Sequence, residues 1–513
     1  MEGWYRTYNH AGAVPLADLP RFDYPRWFGD MSAMLEGENY HCAACFALPE
    51  GDGLLLVALM LDDASGEVWI ASCRYDTARG DVLPSLSARY PAMHAFEREI
   101  AESFGIAYAD HPWNKPLRFA HDRADRTRTI NNYPFYHIGG DSLHEVNVGP
   151  IHAGIIEPGV FRFICNGEEV LHLEIVLGYQ HRGVERLMRE TPNRLRQVTL
   201  AETVAGDSSV AHATAHTALV EKLMRSRADA GVVARLDRER ATGIELERIA
   251  VHIGDTGALC MDVGYQLGQV ACEALRTVVI NTTQRWCGNR FGKGLVRPGG
   301  THYPMSEAVR EDILANMADV EARYAEVAHN LSVVPSVLAR FEDCGTVTRS
   351  QMVRIGAVGQ AARASGLGRD IRATHPYGAY RMLDAYEPVL QGAGDVMARL
   401  GVRCREVARS VQLIRELLEP AAAADAAPAA LPRPDYTASL RPEALSFALV
   451  EGWRGEICHA GITDAEGRWR CYKVKDPSMH NWLALALAVR GGGISDFPVC
   501  NKSFNLSYCG HDL

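Results

Sequence analysis

Residues 92–104 read AMHAFEREIAESF and run straight into Gly105; how this stretch folds decides the first part of the chain. Phe96, Ile100 and Phe104 recur at i, i+4 and i+8, so a helix places them on one face. Glu97, Arg98 and Glu99 then turn outward, and Gly105 ends the helix. Upstream, residues 53–61 are an apolar run that suits a buried strand, and residues 67–75 (EVWIASCRY) alternate with strand period. Gly51-Asp52-Gly53 and Asp62-Asp63 punctuate the strands as turns. A helix beside such strands predicts a small α/β domain over residues 1–125.

Downstream the pattern changes. Residues 126–143 are a polar connector around Asn131-Asn132-Tyr133-Pro134. Residues 160–165 and 170–176 are strand-like and joined by Asn166-Gly167-Glu168, which predicts a hairpin. From 182 to about 418 the apolar spacing is helical, broken at 288–304 and at His375-Pro376. Residues 419–434 (EPAAAADAAPAALPRP) are an Ala/Pro-rich linker or insertion. Residues 440–513 return to strand and turn character, with one short helix around 481–488. The expected class is therefore α+β: the small domain, then a mainly helical large domain over 144–513 with peripheral β-hairpins.

A chain of 513 residues is longer than one core usually organises. Lys and Arg number 53 against 63 Asp and Glu, a net charge of -10 that argues against a general nucleic-acid binder. The longest apolar runs, 54–61 and 482–489, fall far short of the roughly 20 residues of a membrane span. MEGWYRTYNH at the start lacks a basic region followed by an apolar one, so a cytoplasmic location is expected. The 13 cysteines are scattered and odd in number, which speaks for reduced thiols rather than a disulfide framework. No glycine-rich nucleotide loop is found; Arg297-Pro298-Gly299-Gly300 is more simply a turn.

Residues 96–119 (FEREIAESFGIAYADHPWNKPLRF) resemble the signature of the 30-kDa subunit of respiratory complex I. The blocks VGPIHAGIIEPGVFRF (148–163), GYQHRGVERLM (178–188), ELERIAVHIGDTGALCMDVG (245–264) and VRPGG (296–300) are similar to the 49-kDa subunit and to its relatives, the [NiFe] hydrogenase large subunits. A further block, EGWRGEICH (451–459) with KDPSMHNWLALALAVRGG (475–492), resembles the C-terminal region of both. The order, 30-kDa-like then 49-kDa-like, is that of fused hydrogenase-4 and formate hydrogenlyase large subunits.

The departures from that pattern carry the functional expectation. Residues 202–212 (ETVAGDSSVAH) match the stretch in which hydrogenases hold nickel and iron with a Cys-x-x-Cys pair, and here those positions are Ala205 and Ser208. The second pair aligns with Phe504 to Cys509, of which Cys509 alone is a cysteine. A bimetallic centre needs several thiolates, so the resemblance implies a chain with no metal of its own. His152 fits a quinone-facing position of the 49-kDa family, whereas Gly206 falls near the position of that family's quinone-facing tyrosine. His181-Arg182 matches the pair that lies beside the [4Fe–4S] cluster of a small neighbouring subunit, where a guanidinium raises the cluster's potential.

The resemblance thus implies an energy-converting oxidoreductase subunit with a pocket lined by His152, Glu157, Asp207, Ser208 and Cys509. No cofactor is expected to be held firmly by this chain; quinone or NAD(H) enters at the level of the complex. Implied partners are the small iron–sulfur subunit together with antiporter-like and quinone-module membrane subunits, and no nucleic acid. These would hold the chain on the inner face of the cell membrane. Two other classes remain open: a hydrogenase with displaced ligands, for which Cys500 is raw material, and a scaffold whose pocket is a relic.

Two further constellations have bland explanations. Cys42-Ala-Ala-Cys45 has no second pair to complete a metal site, and on a strand its cysteines face opposite sides, so structural thiols are expected. His212 and His216 lie one helical turn apart, the spacing of a zinc helix, but Ala213 stands where a metalloprotease has its glutamate; a polar pocket or buried packing is favoured.

Overall fold

A computed structural model describes residues 2–224, 229–383, 386–419 and 430–513. Most of the Ala/Pro-rich segment, residues 420–429, lies outside the described residues. In the N-terminal sheet the antiparallel order is Tyr5–Tyr8, Glu67–Tyr75, Gly53–Asp62 and Tyr40–Glu50, with Arg21–Phe22 added in parallel to Glu67–Tyr75. The strand Gly53–Asp62 is apolar throughout because both its faces are covered. Leu54, Leu56, Ala58 and Met60 pack with Trp27, Met31 and Phe96 of two helices, whereas Leu55, Val57, Leu59 and Leu61 join the core of the large domain.

The helix expected from AMHAFEREIAESF spans His94–Phe104 and stops at Gly105, which takes a left-handed conformation. Glu97 and Arg98 are not outward, contrary to the expectation: both are buried. The Glu97 carboxylate accepts from Ser85 Oγ at 2.6 Å and from the amide of Leu86 at 2.7 Å. Arg98 donates to the carbonyls of Lys115 and Pro116 and lies over the Trp113 ring. Segments 85–87 and 113–116 wrap over this face, which the helical period alone does not reveal.

The Cys42/Cys45 expectation is also corrected in part. A bulge between Cys42 and Ala44 shifts the register, so both thiols join the same apolar cluster instead of facing opposite sides. Burial pushes both thiols up, and neither is in a disulfide.

In the large domain the helices Ala230–Asp262, Gln266–Cys287, Glu307–Leu331 and Val396–Leu418 pack on one another. Charges buried among them are paired: Arg363 with Glu451 at 2.7 Å and Glu406 at 2.9 Å, and Arg372 with Asp370 at 2.7 Å. The hairpin forms as Val160–Asn166 and Glu169–Val176, with Leu143–Val148 on its other edge. The C-terminal sheet runs Trp469–Lys475, Gly455–Thr463, Ala444–Gly452, and its fourth strand, Val14–Pro15, comes from the other end of the chain. Asn9 reinforces this junction, donating to the carbonyls of His375 and Leu449 and accepting from the Leu449 amide. The tail holds three helices, Ser478–Ala488, Phe497–Phe504 and Tyr508–Asp512, where the local pattern predicts one. The apolar face of the second is visible only through its contact: Phe497 packs against Phe161 and edge-on against Phe163 of the central strand.

Candidate functional site

The site is built where the last helix, Tyr508–Asp512, meets the turn 203–208 and the loop 149–159. Asp512 secures the last helix: its carboxylate accepts from the amides of Gly178 at 2.8 Å and Gln180 at 2.9 Å. His181 donates through Nδ1 to the Asp512 carbonyl at 2.8 Å. Arg182 then clasps three carbonyl oxygens, those of Thr203 at 2.6 Å, Val204 at 3.1 Å and Cys509 at 2.9 Å. A guanidinium suits this because its planar fork presents several donors at fixed angles. Arg182 is exposed on its other side.

Glu157 approaches Cys509 from the loop. Its carboxylate accepts from the amides of Tyr508 at 3.3 Å and Cys509 at 3.4 Å. Burial, and next the Glu157 charge, push the Cys509 thiol up to about 11, so this sulfur stays protonated at neutral pH. Asp207 is held by Arg454, whose guanidinium donates twice, at 2.6 and 2.7 Å, while Trp453 Nε1 donates to the Asp207 carbonyl at 2.9 Å. Burial disfavours the Arg454 charge, but Asp207 outweighs it and the pKa is raised. Arg454 also donates to the Asn505 carbonyl at 2.6 Å, which ties the turn to the tail. Gly359 and Gly455 let two backbones cross at this point. Gly359 has φ +68°, and a Cβ there would lie 1.9 Å from the Arg454 carbonyl oxygen.

Ser208 is buried at the entry to the helix Ser209–Leu223, and its amide donates to the Ala205 carbonyl at 3.0 Å. Beneath it, Glu247 accepts from the amides of Val210 at 2.7 Å and Ala211 at 3.3 Å. Burial pushes the Glu247 carboxyl up to about 8, against the pull of those two amides. His152 stands one layer away. Its Nε2 donates to the Gly159 carbonyl at 2.9 Å and closes its own loop, whose Ile151 and Ile155 are exposed. The structure therefore brings Glu157, Asp207, Ser208 and Cys509 around one turn and the tail, with Arg182 binding the two, and sets His152 behind the loop.

Sequence reasoning missed a buried relay below this site. Asp476 Oδ2 is 3.2 Å from His212 Nε2, His212 Nδ1 is 3.0 Å from His459 Nε2, and His459 Nδ1 is 2.8 Å from the Tyr472 hydroxyl. His216 Nδ1 lies 2.7 Å from the same hydroxyl. One consistent set of donors runs from His216 through Tyr472, His459 and His212 to Asp476. The two histidines thus bond along a chain and do not converge on a common point. Among the described residues no group of three or more His, Cys, Asp or Glu side chains is placed to hold a metal. Partners from four separate segments build this relay, so only the His212/His216 spacing hinted at it.

The donor set does not fit a nickel–iron pair. Ala205 is a buried methyl, and Cys500 sits 3.7 Å from Cys344, where it bonds sulfur to sulfur, instead of beside Cys509. A separate cleft of about 430 Å³ opens on the Arg182 side. Arg118, Arg182, Arg186, Arg189, Arg470 and Lys473 line it, against Glu99, Glu102, Asp122 and Glu185, so its walls carry a surplus of positive charge. The cleft does not include His152, Glu157, Asp207, Ser208 or Cys509.

Comparison with known proteins agrees with this geometry. The chain matches the family models of the respiratory-chain NADH dehydrogenase 30 Kd subunit over residues 38–126 and of the 49 Kd subunit over residues 262–512. It is 26% identical to hydrogenase-4 component G of Escherichia coli (strain K12), over 98% of this chain and 84% of that one. It is 28% identical to formate hydrogenlyase subunit 5 of the same organism, over 83% of this chain and 76% of that one. It is 27% identical to NADH-quinone oxidoreductase subunit 4 of Thermus thermophilus, over 68% of this chain and 89% of that one.

Proposed function

Because the chain belongs to the family of fused 30-kDa/49-kDa-like subunits that complex I shares with hydrogenase-4 and formate hydrogenlyase, we propose that it is the redox-pocket subunit of a membrane-associated, energy-converting oxidoreductase of this kind, without a [NiFe] centre of its own. The observation that carries this reading is the Arg182 clasp. It holds a cation at the surface of a positively lined cleft while its other donors fix the turn and the tail. A small partner subunit with a [4Fe–4S] cluster docks on that cleft. The cluster, held by the partner, supplies one-electron transfer. His181 and Arg182 orient beside it, and the guanidinium favours arrival of an electron on an anionic cluster.

The pocket for an acceptor lies on the other side of the clasp, walled by His152, Glu157, Asp207, Ser208 and Cys509. Glu157 faces the Cys509 amide and is placed to hold or pass a proton. The acceptor is a quinone, and any NAD(H) is bound by another subunit. No described helix is long and apolar enough to cross a membrane. Quinone-module and antiporter-like membrane subunits therefore anchor the chain to the inner face of the cell membrane.

Purification of the intact complex through a tag on this chain tests the assignment. Iron is expected together with the small iron–sulfur subunit and membrane subunits, and nickel well below one atom per chain. Stoichiometric nickel, or recovery of the chain alone, defeats it.

A further inference from the structure

We propose that Cys344 and Cys500 are a redox-active thiol pair, a modification site that accepts small-molecule disulfides of the glutathione type and closes into a reversible intramolecular disulfide. The two sulfurs lie 3.7 Å apart, and both cysteines are free. They come from distant elements: Cys344 from the segment after the helix Pro335–Phe341, Cys500 from the helix Phe497–Phe504. Cys344 is half-buried and reachable, whereas Cys500 is buried behind it. That arrangement suits an attacking thiol in front and a resolving thiol behind.

Their approach is built into the backbone. Gly345 has φ +62°, and a Cβ there would stand 2.5 Å from Cys500 Sγ. Arg399, fully buried, fixes the surroundings by donating to the Gly345 carbonyl at 3.1 Å, the Gly394 carbonyl at 2.8 Å and Ser503 Oγ at 2.8 Å. Ser503 Oγ in turn donates to the Cys500 carbonyl at 2.6 Å. These partners of Arg399 are carbonyls and a hydroxyl, so its charge remains available to a thiolate. Of the 13 cysteines, Cys344 is the one whose pKa moves down. The thiol of Cys500 is the largest cause, with Arg399 and Arg340 assisting against burial. A low-pKa, accessible thiol beside a cation is the reactive kind.

The chemistry balances in two exchanges. The Cys344 thiolate attacks one sulfur of glutathione disulfide; its S–S bond breaks and one glutathione thiolate leaves. Cys500 then gives up its proton and attacks the Cys344 sulfur, which expels the second glutathione. Two protein thiols are oxidised to one disulfide and one glutathione disulfide is reduced to two glutathiones. The product ties Cys344 to the helix that leads into Asn505 and Cys509, so oxidation would stiffen the tail side of the site.

Treatment of the full-length protein with glutathione disulfide, followed by alkylation under denaturing conditions and peptide mass mapping, tests this. Two of the 13 thiols are expected to be lost, recovered as one Cys344–Cys500 cross-linked peptide, and restored by dithiothreitol. Cys500→Ser is expected to stop at a stable glutathione adduct on Cys344, and Cys344→Ser to take up no glutathione. If all 13 thiols of the unsubstituted chain remain alkylatable, or if glutathione stays on Cys344 without cross-linking, the proposal is wrong. The wild-type mapping decides this even if a variant fails to fold.

Discussion

Asp207 and Arg454 meet in a two-pronged ion pair, Oδ1 to Nη1 at 2.6 Å and Oδ2 to Nη2 at 2.7 Å. The Arg454 side chain is 4% exposed and that of Asp207 39% exposed, so the cation depends on the pair more than the anion does. Asp207→Asn keeps the shape but leaves a buried guanidinium short of its counter-charge. The expected loss is about 1–2 kcal/mol, below that for a fully buried pair because water reaches Asp207. Urea denaturation checks it, and an unchanged midpoint refutes it.

Gly359 lies against the backbone of the same arginine. Gly359→Ala forces a side chain into a left-handed position and into the Arg454 carbonyl, and the predicted cost is at least about 2 kcal/mol. Gly206, which has open space around its Cβ position, serves as the control. Gly206→Ala should shift the melting temperature far less.

Glu247 sets a pH dependence. Its folded pKa of about 8 lies above the unfolded 4.5, so between these values the folded chain holds a proton that the unfolded chain releases. Stability is therefore greatest below the window, falls as pH rises through it, and is fully reduced above about 8. Glu247→Gln is expected to flatten this slope by about 1–3 kcal/mol between about pH 5 and pH 8. Urea unfolding at several pH values reads it, and parallel curves for the two proteins would contradict the assignment.

Arg182 separates charge from shape. Arg182→Ala in the intact complex is expected to lower the midpoint potential of the partner cluster, whereas Arg182→Lys keeps the charge but loses the fork that binds Thr203, Val204 and Cys509. Redox titration followed by electron paramagnetic resonance distinguishes them. A potential that moves in neither variant removes Arg182 from the cluster's surroundings.

Much of the fold is legible in local pattern. The helix ending at Gly105, the hairpin around Gly167 and the break after Cys287 all follow from spacing and from glycine at left-handed positions. Glu97 and Arg98 depart from that pattern because the chain that covers them arrives from residues 85–87 and 113–116. The bulge at Cys42 leaves no mark in composition. The site is legible only in outline. Ala205, Ser208 and Cys509 stand out against a family pattern, but the Arg454 that answers Asp207 and the Glu247 beneath Ser208 come from distant segments.

The Val14–Pro15 strand has a consequence for biosynthesis. Its partners are Leu445 and Ala444, so hydrogen bonds near the first-made end wait until residue 445 has cleared the ribosome. Asn9 waits likewise for Leu449. The fused polypeptide is therefore fastened by its own ends only after translation is nearly finished, and dividing the gene between its two halves would leave the amino-terminal portion missing a neighbour it was shaped to grip.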